Sequence, residues 1–397
     1  MLTTLVTTTL LALAGADRKE ISISAALEPS PALRYRFQAD AFEQRRGDAV
    51  QMYMQVALLL SRAEAEQNEE IAALLDVPLS SLQGENLANL ELRYDEIGEL
   101  LHIAARTDQC HWDIPIRELG IATLLPELGS LRQAARVLAA HARLMMSEGD
   151  FDGAIRDIES GMVLGRNLSE GPTLIHALVG IAVQSLMLDR VEELSSLEGA
   201  PNLYWAIANE PRVSLEEALR FEAAFIEFSD IGIRDLDHRT LSVPELESRT
   251  RSTIQNFTRL MGYAETPGMT GSSGAFLGIA QVMTVYPAAK QSFIDQGMPE
   301  SDVAALPVTY VALRYTYDDY TRLRDDIFKW FSLPYWDARV GLARAESSLE
   351  AEAGRHLNPF VAFLPALSKA RESQVRIERA MDLRMLVEAL RHHVAKT

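Results

Sequence analysis

Apolar residues recur three and four positions apart over most of this chain, the spacing that keeps one face of a helix apolar. The clearest case is Leu131–Leu168, where two amphipathic runs flank the polar turn Ser147-Glu148-Gly149-Asp150. This predicts an antiparallel helical hairpin, with the Asp150 carboxylate capping the free N–H groups of the second run. Earlier in the chain, Ile21–Leu27 reads as strand or helix, and Pro29 and Pro31 mark a turn. Two runs between Ala32 and Ala65 break near Gly47-Asp48, and another, Ile71–Leu75, stops before Pro78. Leu87–Ala105 is a clear helix, with Leu90, Tyr94, Ile97, Leu101 and Ala104 on its apolar face. Thr173–Leu194 is apolar nearly all round, with Gly171-Pro172 setting its start. His176 and Gln184 interrupt it, which favours a core helix over a membrane span.

Further on, PNLYWAIANE (201–210) opens a helix, Leu215–Phe228 is amphipathic, and a polar stretch leads into a helix over Pro244–Met261. TPGMTGSSG, residues 266–274, has linker composition. Three helical runs follow: Ala275–Asp295, Asp302–Phe331 and Pro359–Val394, the last opened by Asn358-Pro359. No strands alternate with these helices. The expected fold is all-α, an irregular helical-hairpin architecture in two lobes, 17–265 and 275–397, joined by the linker 266–274.

The hairpin resembles one tetratricopeptide unit. Ala154 and Ile158 sit at the A-x3-F spacing, and Ala142 supplies a second small contact on the first helix. His141 stands where leucine is usual. The repeat period of about 34 residues leads from Ala154 to Leu188, where the pattern is absent, so the resemblance covers a single unit.

Composition is that of a globular chain: 397 residues, 48% hydrophobic and 24% charged, ample for a sizeable core. The net charge of −18 argues against nucleic-acid and anionic-lipid partners, which need clustered Lys and Arg. Cys110 is the only cysteine, which excludes an intrachain disulfide and leaves the redox compartment open. Residues 1–16, MLTTLVTTTLLALAGA, form a short uncharged apolar run ending in an A-x-A site, as in a signal peptide, although the n-region lacks Lys and Arg. The expectation is an exported protein, periplasmic or extracellular, with no stable membrane span in the mature chain.

Several blocks together resemble an uncharacterised family of exported helical proteins from planctomycete bacteria: LEPSPALRYRF (27–37), CHWDIP (110–115), the EGDFDGAI turn, EGPTLIHALVGIA (170–182) and PNLYWAI (201–207). The resemblance implies export and a helical fold, with no catalytic residue to carry over. Members of that family often continue past the last helix into a proline-rich, Asp-Pro-containing tail, and this sequence runs as far as Thr397.

Candidate chemistry is sparse. Asp108, Cys110, His111 and Asp113 are zinc-ligand types around Trp112, but their spacing matches no common zinc pattern, and Cys110 and Trp112 read better as core anchors of a loop. Asp318-Asp319 and Asp325-Asp326 could bind Mg²⁺ with a diphosphate, yet the pairs stand about 10 Å apart by helix rise, with Arg322 and Arg324 between them. A solvated face laced with charge pairs fits better. Tyr286 and Lys290 have the spacing of short-chain dehydrogenases without the dinucleotide fold that chemistry needs. His392 and His393 diverge on a helix, and Tyr204-Trp205 read as core aromatics. No catalytic residue, metal ligand or cofactor is assigned. The expected role is an exported interaction or scaffold protein. The alternative is an enzyme with a metal or diphosphate site assembled between helices. The candidate partner-binding residues are Arg132, Arg136 and Arg143, whose spacings of four and seven put them on one face of the first hairpin helix, suited to an acidic peptide or a free C-terminus.

Overall fold

The computed structural model describes residues 21–61, 65–82, 87–114, 125–224, 226, 231–263, 279–354, 358–364 and 367–397. The expected leader, 1–16, and the expected linker, 266–274, lie outside these residues. Fourteen helices and one pair of short strands make up the described chain, so the fold is all-α. Contacts divide it into two units. The first comprises the residues up to Trp112, Leu125–Ala218 and Ser373–Thr397; the second comprises Asp113–Leu124 and Leu219–Glu372.

The first unit is built on the hairpin. Helix α4 (Pro126–Glu148) ends at Gly149, whose φ of 80° lies in the left-handed region that glycine enters without a Cβ penalty. Asp150 then caps α5 (Phe151–Ser169), its Oδ1 accepting from the Gly153 N–H at 2.9 Å. The turn lies where the sequence placed it but is shorter, Ser147 and Glu148 closing α4 and leaving only Gly149 and Asp150 between the helices; Ala142, Ala154 and Ile158 are fully buried beside it. Helix α6 (Leu174–Ser195) follows, capped by Thr173 rather than by the Gly-Pro pair before it. It is long and apolar enough to cross a membrane by length and composition. Its core positions, among them Ala177, Met187 and Leu188, are buried, and it packs on both α4 and α5. The α5–α6 crossing is very close: a Cβ built on Gly165 would come within 2.9 Å of the Gly180 carbonyl oxygen. Glycine at both positions is what lets the two backbones meet.

Around this core lie α1 (Ala49–Leu60), α2 (Ala65–Ala73), α3 (Ala88–Ala105) and α7 (Tyr204–Ala208). Two short parallel strands, β1 (Arg45–Asp48) and β2 (Thr107–Gln109), pair with Arg45 opposite Thr107. The residues from Ile21 to Leu27 form neither strand nor helix. They are held in place by the backbone bonds Ser24 N–H to the Ser195 carbonyl and Ala26 N–H to the Arg391 carbonyl, and by the Ser24 hydroxyl, which donates to the Leu197 carbonyl. Arg391 is fully buried. Its guanidinium donates to both carboxylate oxygens of Glu388 and to the carbonyls of Ser24, Ala200 and Pro201. Glu388 in turn accepts from the Leu203 N–H, so the PNLYWAI segment is clamped to the C-terminal helix. Trp205 departs from its expected core position. Leu203, Ala206 and Ile207 take the buried places, and Trp205 stands partly exposed, donating to Glu28.

After α8 (Glu216–Ala223), the second unit holds α9 (Val243–Tyr263), α10 (Ile279–Asp295), α11 (Glu300–Ala305), α12 (Val308–Phe328) and α13 (Tyr335–Gly354). The single run expected over Asp302–Phe331 is broken at Leu306-Pro307. Proline lacks the N–H and disfavours helical backbone in the residue before it, and Leu306 is extended there. Helix α13 was not anticipated; its alanine-rich sequence carries little apolar periodicity. Asn358-Pro359 starts only a short 3-10 turn, Pro359–Phe363, and the last helix, α14, runs over Leu367–Lys396. Helix α12 is central to this unit, with Tyr310, Val311, Leu313 and Tyr320 buried against α9, α10 and α13.

Candidate functional site

The arginines proposed for partner binding do not form an open stripe. Arg143 is 4% exposed. It donates from Nε and Nη2 to Glu193 on α6 at 2.8–3.0 Å, from Nη1 to the Leu74 carbonyl, and from Nη2 also to the Val77 carbonyl. It ties α4 to α6 and to the segment after α2, and is unavailable to a partner. Arg136 is half-buried and donates to Gln133, while Arg132 is exposed. Helix geometry puts the three on one face, but part of that face is covered.

The other candidates also resolve into structure. Asp108 accepts from the Gly47 N–H, and His111 turns to Asp48, the cap of α1. Cys110 has its thiol pushed up to about 12 by burial, which leaves it protonated and a poor ligand. Trp112 stacks on Tyr53 and donates to the Asn167 carbonyl, an anchor as expected. The α12 aspartates each meet a cation: Asp318 with Arg314, Asp319 with Arg322, Asp325 with Arg324 and Asp326 with Lys329. His392 accepts from the Glu28 N–H, and Lys290 pairs with Glu300. Among the described residues no three His, Cys, Asp or Glu side chains converge as a metal site would require.

Two constellations not singled out from sequence lie on α3 and α5. The first is a buried polar knot. Asp157, fully buried, accepts from Tyr94 Oη at 2.8 Å and faces His141 Nδ1 at 2.6 Å. His102 joins Tyr94 through Nε2 at 2.9 Å and Ser160 through Nδ1 at 2.7 Å. Burial lowers the His102 pKa and raises that of Tyr94, so both are neutral. With Tyr94 donating to Asp157, one assignment satisfies the chain: Ser160 donates to His102, His102 to Tyr94, Tyr94 to Asp157. The Tyr94 ring also stacks on His141, with centroids 3.3 Å apart. This accounts for the histidine at the position where a tetratricopeptide unit has leucine: its partner is a carboxylate on the facing helix. Ser160 and His102 are in hydrogen-bond contact but both buried, so the knot presents no nucleophile to solvent.

The second constellation is a cleft of about 360 Å³ beneath the segment from Leu33 to Glu43. That segment acts as a strap. At one end Arg34 and Tyr35 bond Asp152 on the first turn of α5; in the middle Gln38 donates to the Asn209 carbonyl; at the other end Arg45 N–H donates to the Arg106 carbonyl at 2.7 Å. Asp40 turns the strap, its main-chain oxygen accepting from Glu43 N–H and its carboxylate meeting Arg36. Arg106, at the end of α3, and Glu159, on α5, complete the lining. Arg34 and Arg36 are therefore answered by Asp152 and Asp40. The Arg106 guanidinium has no hydrogen bond or ion pair among the described residues, and neither does the Glu159 carboxyl. Burial pushes the Glu159 pKa up to about 7, against the pull of Arg106 and with a smaller push from Glu43. At neutral pH the cleft thus holds an uncommitted cation beside a carboxyl that is about half protonated. Leu33 and Phe42, the latter 100% exposed, add apolar surface at the same cleft.

Compared with protein-family models, curated proteins and solved structures, the chain has no match. The reading of its function rests on the residues themselves.

Proposed function

We propose that this is an exported helical interaction protein that receives an acidic group of its partner in the strap cleft. The observation that carries the reading is Arg106: a guanidinium lining a cleft, with no carboxylate bonded to it among the described residues, in a chain of net charge −18. An arginine fork matches a carboxylate, and such a pair strengthens where water is partly excluded. The cleft replaces the Arg132, Arg136 and Arg143 face as the docking point, because Arg143 is consumed inside. Export is supported by the apolar leader of residues 1–16 and by the resemblance to the planctomycete family.

The test uses the purified full chain on a biosensor surface, probed with a pool of acidic peptides with free C-termini and with a C-terminally amidated pool carrying asparagine and glutamine instead. Wild type should retain acidic peptides, Arg106→Gln should not, and Arg132→Gln should behave as wild type. Equal retention by the Arg106→Gln protein refutes the reading.

A further inference from the structure

The cleft has more to it than charge. An internal Asp or Glu side chain offers a partner site only a carboxylate on a short methylene stem. A chain terminus offers a carboxylate with an apolar side chain one bond further on. The strap cleft pairs its free guanidinium with apolar surface from Leu33 and Phe42, and Phe42 has no cover of its own. Its volume of about 360 Å³ sits at the small end for ligand sites, which holds one residue and not an extended peptide.

We infer that the strap cleft binds a free C-terminal carboxylate carried by an apolar residue, with the carboxylate between Arg106 and the carboxyl of Glu159 and the side chain against Leu33 and Phe42. This rests on the reading that the cleft receives an acidic group, and narrows it to one kind of group. The hydrogen-bond chemistry is complete. Arg106 donates two N–H groups to the incoming carboxylate, and protonated Glu159 donates its hydroxyl to the same group. An ionised Glu159 would instead repel it, so binding retains one proton on Glu159. Burial already favours that proton. The other charged groups facing the site are Arg34, Arg36, Asp40 and Glu43 on the strap, and Arg156 and Arg166 on α5, and no histidine is among the described residues that line the cleft. Affinity should therefore fall about tenfold per pH unit above pH 7.

The experiment is calorimetry on the full chain with four probes: an N-acetylated pentapeptide ending in leucine, its C-terminal amide, an amidated pentapeptide with one internal glutamate, and hexanoate. The leucine acid should bind and its amide should not. Arg106→Gln and the charge-keeping Arg106→Lys should each weaken the acid by about tenfold to a hundredfold, with unchanged circular dichroism. Phe42→Ala should weaken the leucine acid several-fold. Glu159→Gln should keep binding at pH 6 and lose the fall above pH 7. If the internal-glutamate amide binds as well as the leucine acid, the inference fails while the acidic-group reading stands. If neither binds, both fail. If hexanoate binds as tightly as the peptide acid, the source is a free carboxylic acid, and the assignment to a chain terminus is overturned.

Discussion

Asp157 and Glu159 stand two residues apart on the same helix and differ by one methylene, yet their surroundings are opposed. Asp157 is fully buried and meets Tyr94 and His141, with His102 3.5 Å from one oxygen. Glu159 is half-buried, opens to a cleft, and has no hydrogen-bond partner among the described residues. The helix turn explains the divergence: two residues rotate a side chain by about 200°, so one points to α3 and α4 and the other to the strap. The contrast separates two uses of a buried acid. When internal donors satisfy the carboxylate, it fixes the packing of helices. When it is left beside an uncommitted arginine, it leaves room for a ligand.

The largest test of that division is Asp157→Ala. It strands the Tyr94 hydroxyl and the His141 ring in the core, and should cost about 3–5 kcal/mol by urea unfolding, the scale for breaking a buried charged network. If the loss is below about 1 kcal/mol, within the range of a surface change, the knot is not the structural member of the pair.

Next in size is Glu159→Gln, and its sign depends on pH. The folded pKa, about 7, lies above the ordinary 4.5. The carboxyl therefore costs the fold nothing below pH 4, and stability drains away as pH rises from 4.5 through 7. The amide carries no such penalty. Glu159→Gln should match wild type at pH 4 and be more stable above pH 8, by at most about 3 kcal/mol for a shift of this size and by less where the cleft admits water. Thermal melts at both pH values decide it, and a variant less stable than wild type at pH 8 contradicts the assignment.

How far these features could be read from sequence follows from how local they are. The hairpin was legible because Gly149 and Asp150 act within their own turn, one through φ and the other through a cap three residues on. The α12 charge lacing was legible for the same reason, its pairs lying within four residues. The knot was visible only as an anomaly: Tyr94 passed as part of an apolar stripe, and His141 broke a leucine position, with nothing to name Asp157 as the cause. The cleft left no trace. Its strap has no periodicity, and Arg106 and Glu159 come to line one cleft because α3 packs on α5, while the β1–β2 pair and Asp152 hold the strap over them. Arg143 shows the converse failure. Spacing placed it correctly on its helix face but could not say that Glu193 of α6 would cover it.

The smallest expected effect concerns Arg132, which, like Arg106, has no hydrogen bond or ion pair among the described residues. If lacking a partner were enough to make a docking point, Arg132→Gln should weaken partner binding as Arg106→Gln does. The surroundings say otherwise. Arg132 is exposed to water, where a carboxylate at 4 Å is worth about 1 kcal/mol before the entropy of fixing both chains is subtracted. Arg106 lines a cleft with a carboxyl positioned to share the incoming group, so the same contact is strengthened by partial exclusion of water and by a second donor. Arg132→Gln should therefore shift stability by less than about 0.5 kcal/mol and leave peptide affinity within about twofold of wild type. A loss matching that of Arg106→Gln would move the docking surface onto α4 and show that the cleft is not what distinguishes the two arginines.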